Sequence, residues 1–138
     1  MYQSKYNQLP GTTLARALRS AHKCHDAIKR RNPRRRPYVR AKYFKNDKVF
    51  LTLYWSHLLQ KDRKEQLRRA RLYKAALDLI RNTSCTPSVT IDAAKSDIYL
   101  YRFYGITKDG VDFCVQIKQN HESGRKDLIS TFPVNHKK

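Results

Sequence analysis

Val111-Asp112-Phe113-Cys114-Val115-Gln116-Ile117-Lys118 alternates between a core-forming and a second side-chain set. A strand has a side-chain period of two, so Val111, Phe113, Val115 and Ile117 share one face and Asp112, Cys114, Gln116 and Lys118 the other. Just before it, Lys108-Asp109-Gly110 is a hairpin-turn signal, and Ile98 to Tyr104 reads as an aromatic-rich strand. Just after it, the polar Asn120-His121-Glu122-Ser123-Gly124 turn leads to a strand from Lys126 to Phe132, stopped by Pro133. Val89-Thr90-Ile91 is a short candidate for the sheet edge. The back of the chain is therefore expected to be an antiparallel β-meander of three to four strands.

The front carries a different period. Residues 1–12 are polar with Pro10-Gly11 and read as a mobile lead-in. Thr12 or Thr13 caps a helix over about 13–31 with Leu14, Leu18, Ala21, His25 and Ile28 on one face. Lys29 to Lys42, interrupted by Pro33 and Pro37, reads as an extended Arg-rich connector. Val49 to Leu59 is the most apolar stretch, and helix is expected from about Asp47 onward. Asp62 and Glu65 have capping-box spacing, opening a helix through Leu67, Ala70, Tyr73, Leu77 and Ile80 to Arg81. Helices first and a meander after them define an α+β protein, with N-terminal helices packed on the C-terminal sheet. The composition divides it into a basic extension, 1–48, and an α+β unit, 49–138.

That division comes from charge. The 138 residues include 30 Lys or Arg against 11 Asp or Glu, a net charge of +19. Residues 1–48 hold 14 of the cations against 2 acids, whereas residues 84–138 hold 8 against 6. A basic front on a nearly neutral back implies a polyanionic partner, with RNA favoured, and an acidic inhibitor protein as a second kind of partner. Arg34, Arg35, Arg36 and Arg40 in the connector, and Arg68, Arg69 and Arg71 on the second helix, are the expected phosphate contacts. Guanidinium groups grip phosphate bidentately or stack on bases.

Other classes fall away. No run approaches the roughly 18 apolar residues of a membrane span, and three cysteines without CxxC spacing do not make a disulfide scaffold. A cytoplasmic, reducing location is expected. Within His22-Lys23-Cys24-His25 only the two histidines share a helix face, so no metal is expected, and no cofactor motif occurs: four glycines leave no room for a phosphate loop.

Phosphodiester chemistry driven by side chains alone needs a general base for a 2′-hydroxyl, an acid for the leaving 5′-oxygen and cations for the phosphorane. His57, Lys118, Arg125, Ser130 and Thr131 are the catalytic candidates. Each also has a plain structural role open to it: boundary histidine, solvated lysine, β-forming hydroxyl. His121, in a polar turn, reads as simply exposed. Tyr99 and Tyr101 share a strand face that either packs in the core or offers bases a stacking platform.

The order of elements, with Tyr101-Arg102-Phe103-Tyr104-Gly105, then Val111 to Lys118, then Gly124 to Pro133, resembles phage-type members of the barnase–EndoU–colicin–RelE nuclease superfamily. The resemblance covers roughly residues 49–134. It implies metal-independent RNA cleavage on one face of an antiparallel sheet, by a toxin or mobile-element effector. Carried over, it points to His57, Lys118, Arg125 and Ser130 or Thr131; the Arg-rich front has no counterpart in it. A non-catalytic RNA- or ribosome-binding protein, and a DNA-binding accessory protein of a mobile element, are the alternatives that charge alone leaves open.

Overall fold

The computed structural model describes residues 1–92, 94, 95 and 97–134. Its central feature is the meander: β5 (Ile98–Ile106), β6 (Asp112–Asn120) and β7 (Lys126–Pro133) pair antiparallel in sequence order. The rest of the sheet comes from upstream. β4 (Ser88–Ile91) pairs antiparallel along the far edge of β5, and β1 (Tyr2–Gln3) pairs parallel with β5 at Gly105 and Ile106. On the other side, β3 (Asp47–Phe50) runs parallel to β7, and β2 (Tyr38–Ala41) closes the order antiparallel to β3. The protein is thus α+β, with its C-terminal antiparallel strands set inside a mixed sheet of seven strands among the described residues.

Four α-helices accompany it among the described residues: α1 (Leu14–Arg31), α2 (Thr52–Leu59), α3 (Arg63–Ala70) and α4 (Tyr73–Asn82). Thr13 caps α1 by accepting the Arg16 N–H at 3.3 Å. Ala17, Ala21 and His25, four residues apart, form the buried stripe, and the small alanines let α1 sit close to α3. Asp62 caps α3 by accepting the Glu65 N–H at 2.8 Å. The Glu65 carboxylate turns instead to Arg68 and Arg69, so only half of the capping box closes.

Four local expectations are corrected. Asp47 to Phe50 is a strand, because Lys45 and Asn46 take left-handed backbone (φ 56° and 67°) and turn the chain back onto β2. The Arg-rich run from Lys29 to Lys42 is accordingly not one extended connector: Lys29 to Arg31 close α1, Asn32 to Arg35 form a turn in which the Arg35 N–H donates to the Asn32 carbonyl at 3.0 Å, and Tyr38 to Ala41 are sheet. The helix expected over 62–81 breaks between Ala70 and Tyr73. There Leu72 N–H donates three residues back to Arg69, and Arg71 C=O takes the N–H of Leu9 at 2.7 Å. The first twelve residues are consequently no loose lead-in. Ser4 donates to the buried Asp78 at 2.8 Å, Asn82 donates to the same carboxylate, and Leu9 is buried.

The core joins both halves of the chain. Ala17, Ala21, Val39 and Val49 from the basic front pack in one cluster with Leu72, Tyr73, Leu79, Ile80, Phe103, Phe113, Val115, Ile117 and Leu128. Val115, Ile117 and their neighbours thus turn one sheet face toward α4. At Gly105 the approach is too close for a side chain: a Cβ would stand 2.8 Å from Leu79 Cδ1 and 3.0 Å from both the Phe113 ring and the Tyr2 carbonyl. That absence lets β1, β5 and α4 meet at one point. No helix among the described residues is long and apolar enough to cross a membrane.

Candidate active-site groove

The opposite face of the meander is a groove of about 510 Å³. Register builds its floor. Arg102 on β5 lies opposite Gln116 on β6, which lies opposite Ser130 on β7; one step along, Leu100 lies opposite Lys118. All five line the groove, as cross-strand partners on one face must. One wall is helical, with His57 from α2, Lys61 from the turn after it and Arg69 from α3; Asp92, Ala94 and Lys95, between β4 and β5, complete the lining with the apolar Ile98, Ile129 and Phe132. Arg69 is held from two sides, by Glu65 at 3.2 Å and by the Phe132 ring at 5.2 Å.

A β-bulge decides which hydroxyl reaches this groove. The β6–β7 register slips between Gln116 and Ile117, so Ile129 has no opposite number. Without the slip, Ser130 would lie opposite Val115 and turn toward the core. With it, Ser130 faces the groove, and Thr131, opposite Val115, is fully buried and donates to the Cys114 carbonyl at 2.9 Å. The Thr131 hydroxyl is therefore spent on a hydrogen bond in the core and lies outside the groove lining.

Arg125 also lies elsewhere. It immediately precedes β7, is paired with Asp127 at 3.2 Å and seated over the Phe50 ring at 4.7 Å, and lines a separate concavity with Arg40 and Lys48. Of the five catalytic candidates, His57, Lys118 and Ser130 come together. The phosphate candidates divide similarly. Arg69 is in the groove, whereas Arg68 and Arg71 line a second hollow, Arg71 donating to the Leu9 carbonyl at 2.9 Å. Arg34, Arg35 and Arg36 are exposed in the turn before β2. Arg40 sits over Tyr38 and donates to the Asn46 carbonyl.

Tyr99 and Tyr101 are on the other face from the groove. Tyr99 stacks on His121 at 4.7 Å; Tyr101 packs edge-on against Phe44 and donates to Gln119 at 2.7 Å, burial raising its phenol pKa. The groove floor is read by Arg102 and Gln116 instead, which the sequence reasoning passed over. The signal existed: pairing outward from the Lys108-Asp109-Gly110 turn sets Ile106 against Asp112 and hence Arg102 against Gln116.

Beside the groove wall, α2 is braced through Trp55, whose indole N–H donates to His25 Nδ1 at 3.2 Å. Indole is a donor only, so Nδ1 carries no proton and the neutral ring holds its hydrogen on Nε2. Burial lowers the His25 pKa in the same sense. His22 stacks on the same indole at 4.1 Å. Burial pushes the Cys114 thiol up to about 11, and all three cysteines are free.

Chemically, the described residues of the groove offer five cations (Lys61, Arg69, Lys95, Arg102, Lys118), one imidazole, one hydroxyl and one carboxylate, Asp92. Among the described residues no three His, Cys, Asp or Glu side chains gather as a metal-ligand set. The lining is strongly basic, and its reactive groups are proton carriers and cations. Compared with known proteins, the chain matches no family model, no curated protein and no solved structure.

Proposed function

We propose that this protein is an endoribonuclease that cleaves RNA without a metal ion, in the groove on the open face of the meander. The observation that carries the reading is the convergence of His57, Lys118 and Ser130, from α2, β6 and β7, with Arg69 and Arg102 on one strongly basic lining. It also agrees with the site position implied by the resemblance to the barnase–EndoU–colicin–RelE superfamily: one face of an antiparallel sheet.

In the reaction the RNA 2′-oxygen loses its proton and attacks the adjacent phosphorus, forming the 2′-O–P bond. The P–O5′ bond breaks, and the leaving 5′-oxygen takes a proton. The products are a 2′,3′-cyclic phosphate and a 5′-hydroxyl. His57 and Lys118 carry the proton transfers. Arg69 and Arg102 meet the negative charge of the phosphorane, and Ser130 donates to a non-bridging oxygen. The exposed arginines of the turn before β2 add sequence-independent affinity for the polymer.

The test is incubation of the purified protein with RNA in excess EDTA, with the fragment ends analysed. Fragments ending in 2′,3′-cyclic phosphate, lost in His57→Ala and Lys118→Ala, are expected. Intact RNA that is nevertheless bound in a salt-sensitive way would replace the nuclease with a non-catalytic RNA-binding protein.

A further inference from the structure

The site of Arg125 has a second use. Its guanidinium is fixed twice: Nε and Nη2 engage the Asp127 carboxylate at 3.2–3.3 Å, and its central carbon lies 4.7 Å from the Phe50 ring centroid. The carboxylate is 6 % exposed and the arginine side chain 41 %, so the group is pinned from within and open to solvent. Asp127 and Phe50 are register partners across the parallel β3–β7 pair, which is why both reach the same arginine. Across β2–β3, Phe50 faces Tyr38, and Arg40 and Lys48 lie over the Tyr38 ring at 5.6 and 4.8 Å. The other acid nearby, Asp47, is engaged by Lys126 at 2.9 Å.

A guanidinium whose charge is already paired is a poor phosphate clamp. A planar cation held over a ring, with its remaining surface in water, is a good stacking plane for a nucleobase. The position suits a polymer leaving the groove, because Asp127, which holds Arg125, is the direct cross-strand partner of the groove residue Lys118. We infer that Arg125, seated over Phe50, is a stacking platform for an unpaired base of the RNA strand flanking the groove, with Arg40 and Lys48 meeting the backbone beside it. The inference rests on the proposed function for the identity of the polymer, not for cleavage.

The experiment uses the full chain carrying His57→Ala, so that bound RNA stays whole, and a short single-stranded oligoribonucleotide with 2-aminopurine stepped through its positions. Stacking quenches that fluorophore at one position. Adding Arg125→Lys keeps the charge and removes the plane; the quench should disappear and affinity for the oligonucleotide should fall about tenfold. Affinity for inorganic polyphosphate should not change. Phe50→Leu, which keeps the Arg125–Asp127 pair, should act in the same direction. Equal losses for oligonucleotide and polyphosphate, or a quench that survives both substitutions, would overturn the inference. Arg125-dependent quenching in a chain whose wild type leaves RNA intact would overturn the nuclease proposal alone.

Discussion

Ser130 and Thr131 are adjacent hydroxyl residues on opposite faces of β7, the bulge at Ile129 decides which of them faces the groove, and substituting each tests that register directly. Thr131→Val keeps the volume and β-branching of a fully buried side chain and deletes one hydrogen bond, to the Cys114 carbonyl at 2.9 Å. The expected destabilisation is about 1–2 kcal/mol, because the carbonyl stays in the core without that donor. For a chain of this length that lowers Tm by roughly 3–8 °C. Cleavage measured well below Tm should be unchanged. Ser130→Ala should do the reverse: a Tm shift within about 1–2 °C, and a fall in kcat of up to about a hundredfold, as for removing one donor to a developing oxyanion. Calorimetry and a fluorescent-RNA cleavage assay on the two variants suffice. If Thr131→Val cripples cleavage while leaving Tm alone, or Ser130→Ala melts the protein and spares cleavage, the register reasoning is wrong.

Gly105→Ala should cost about 1–3 kcal/mol by forcing α4 from β5 and β1, read as a lowered urea midpoint; an unchanged midpoint would mean the contact is slack. Asp78→Ala removes the buried acceptor of Ser4, the Lys5 N–H and Asn82; a loss of about 3 kcal/mol and faster hydrogen exchange at Tyr2 to Lys5 are expected. His25 has a lowered folded-state pKa, so between that value and its ordinary 6.5 the unfolded chain binds more protons. Stability from this group is complete above about pH 6.5 and falls on acidification through that value; His25→Gln should flatten this part of the Tm–pH profile.

Patterns confined to neighbouring residues were legible in the chain. The Thr13 and Asp62 caps, the meander and its two turns follow from local chemistry, and so did the short strand at Val89 to Ile91. Non-local pairing was not. Nothing within Asp47 to Phe50 announces that β7 waits beside it, and an apolar run of that kind reads equally as buried helix. The basic front hid its part in the core because charge dominates its composition while Ala17, Ala21 and Val39 do the packing. At the site, His57 and Lys118 stood out as isolated polar groups beside apolar runs. Ser130 could not be told from Thr131, since one bulge residue inverts their faces. Arg125 lies outside the groove lining and pairs with Asp127; its charge was visible in the chain, whereas Asp127 was read only as part of a strand.

The most direct test of the central claim is the chemistry of RNA ends after incubation with the protein in excess EDTA. New 5′-hydroxyl and 2′,3′-cyclic phosphate ends are expected from the wild type, and from Thr131→Val at the wild-type rate, with none above background from His57→Ala or Lys118→Ala. RNA left intact by the wild type, or cleaved as fast by both groove variants, would contradict it.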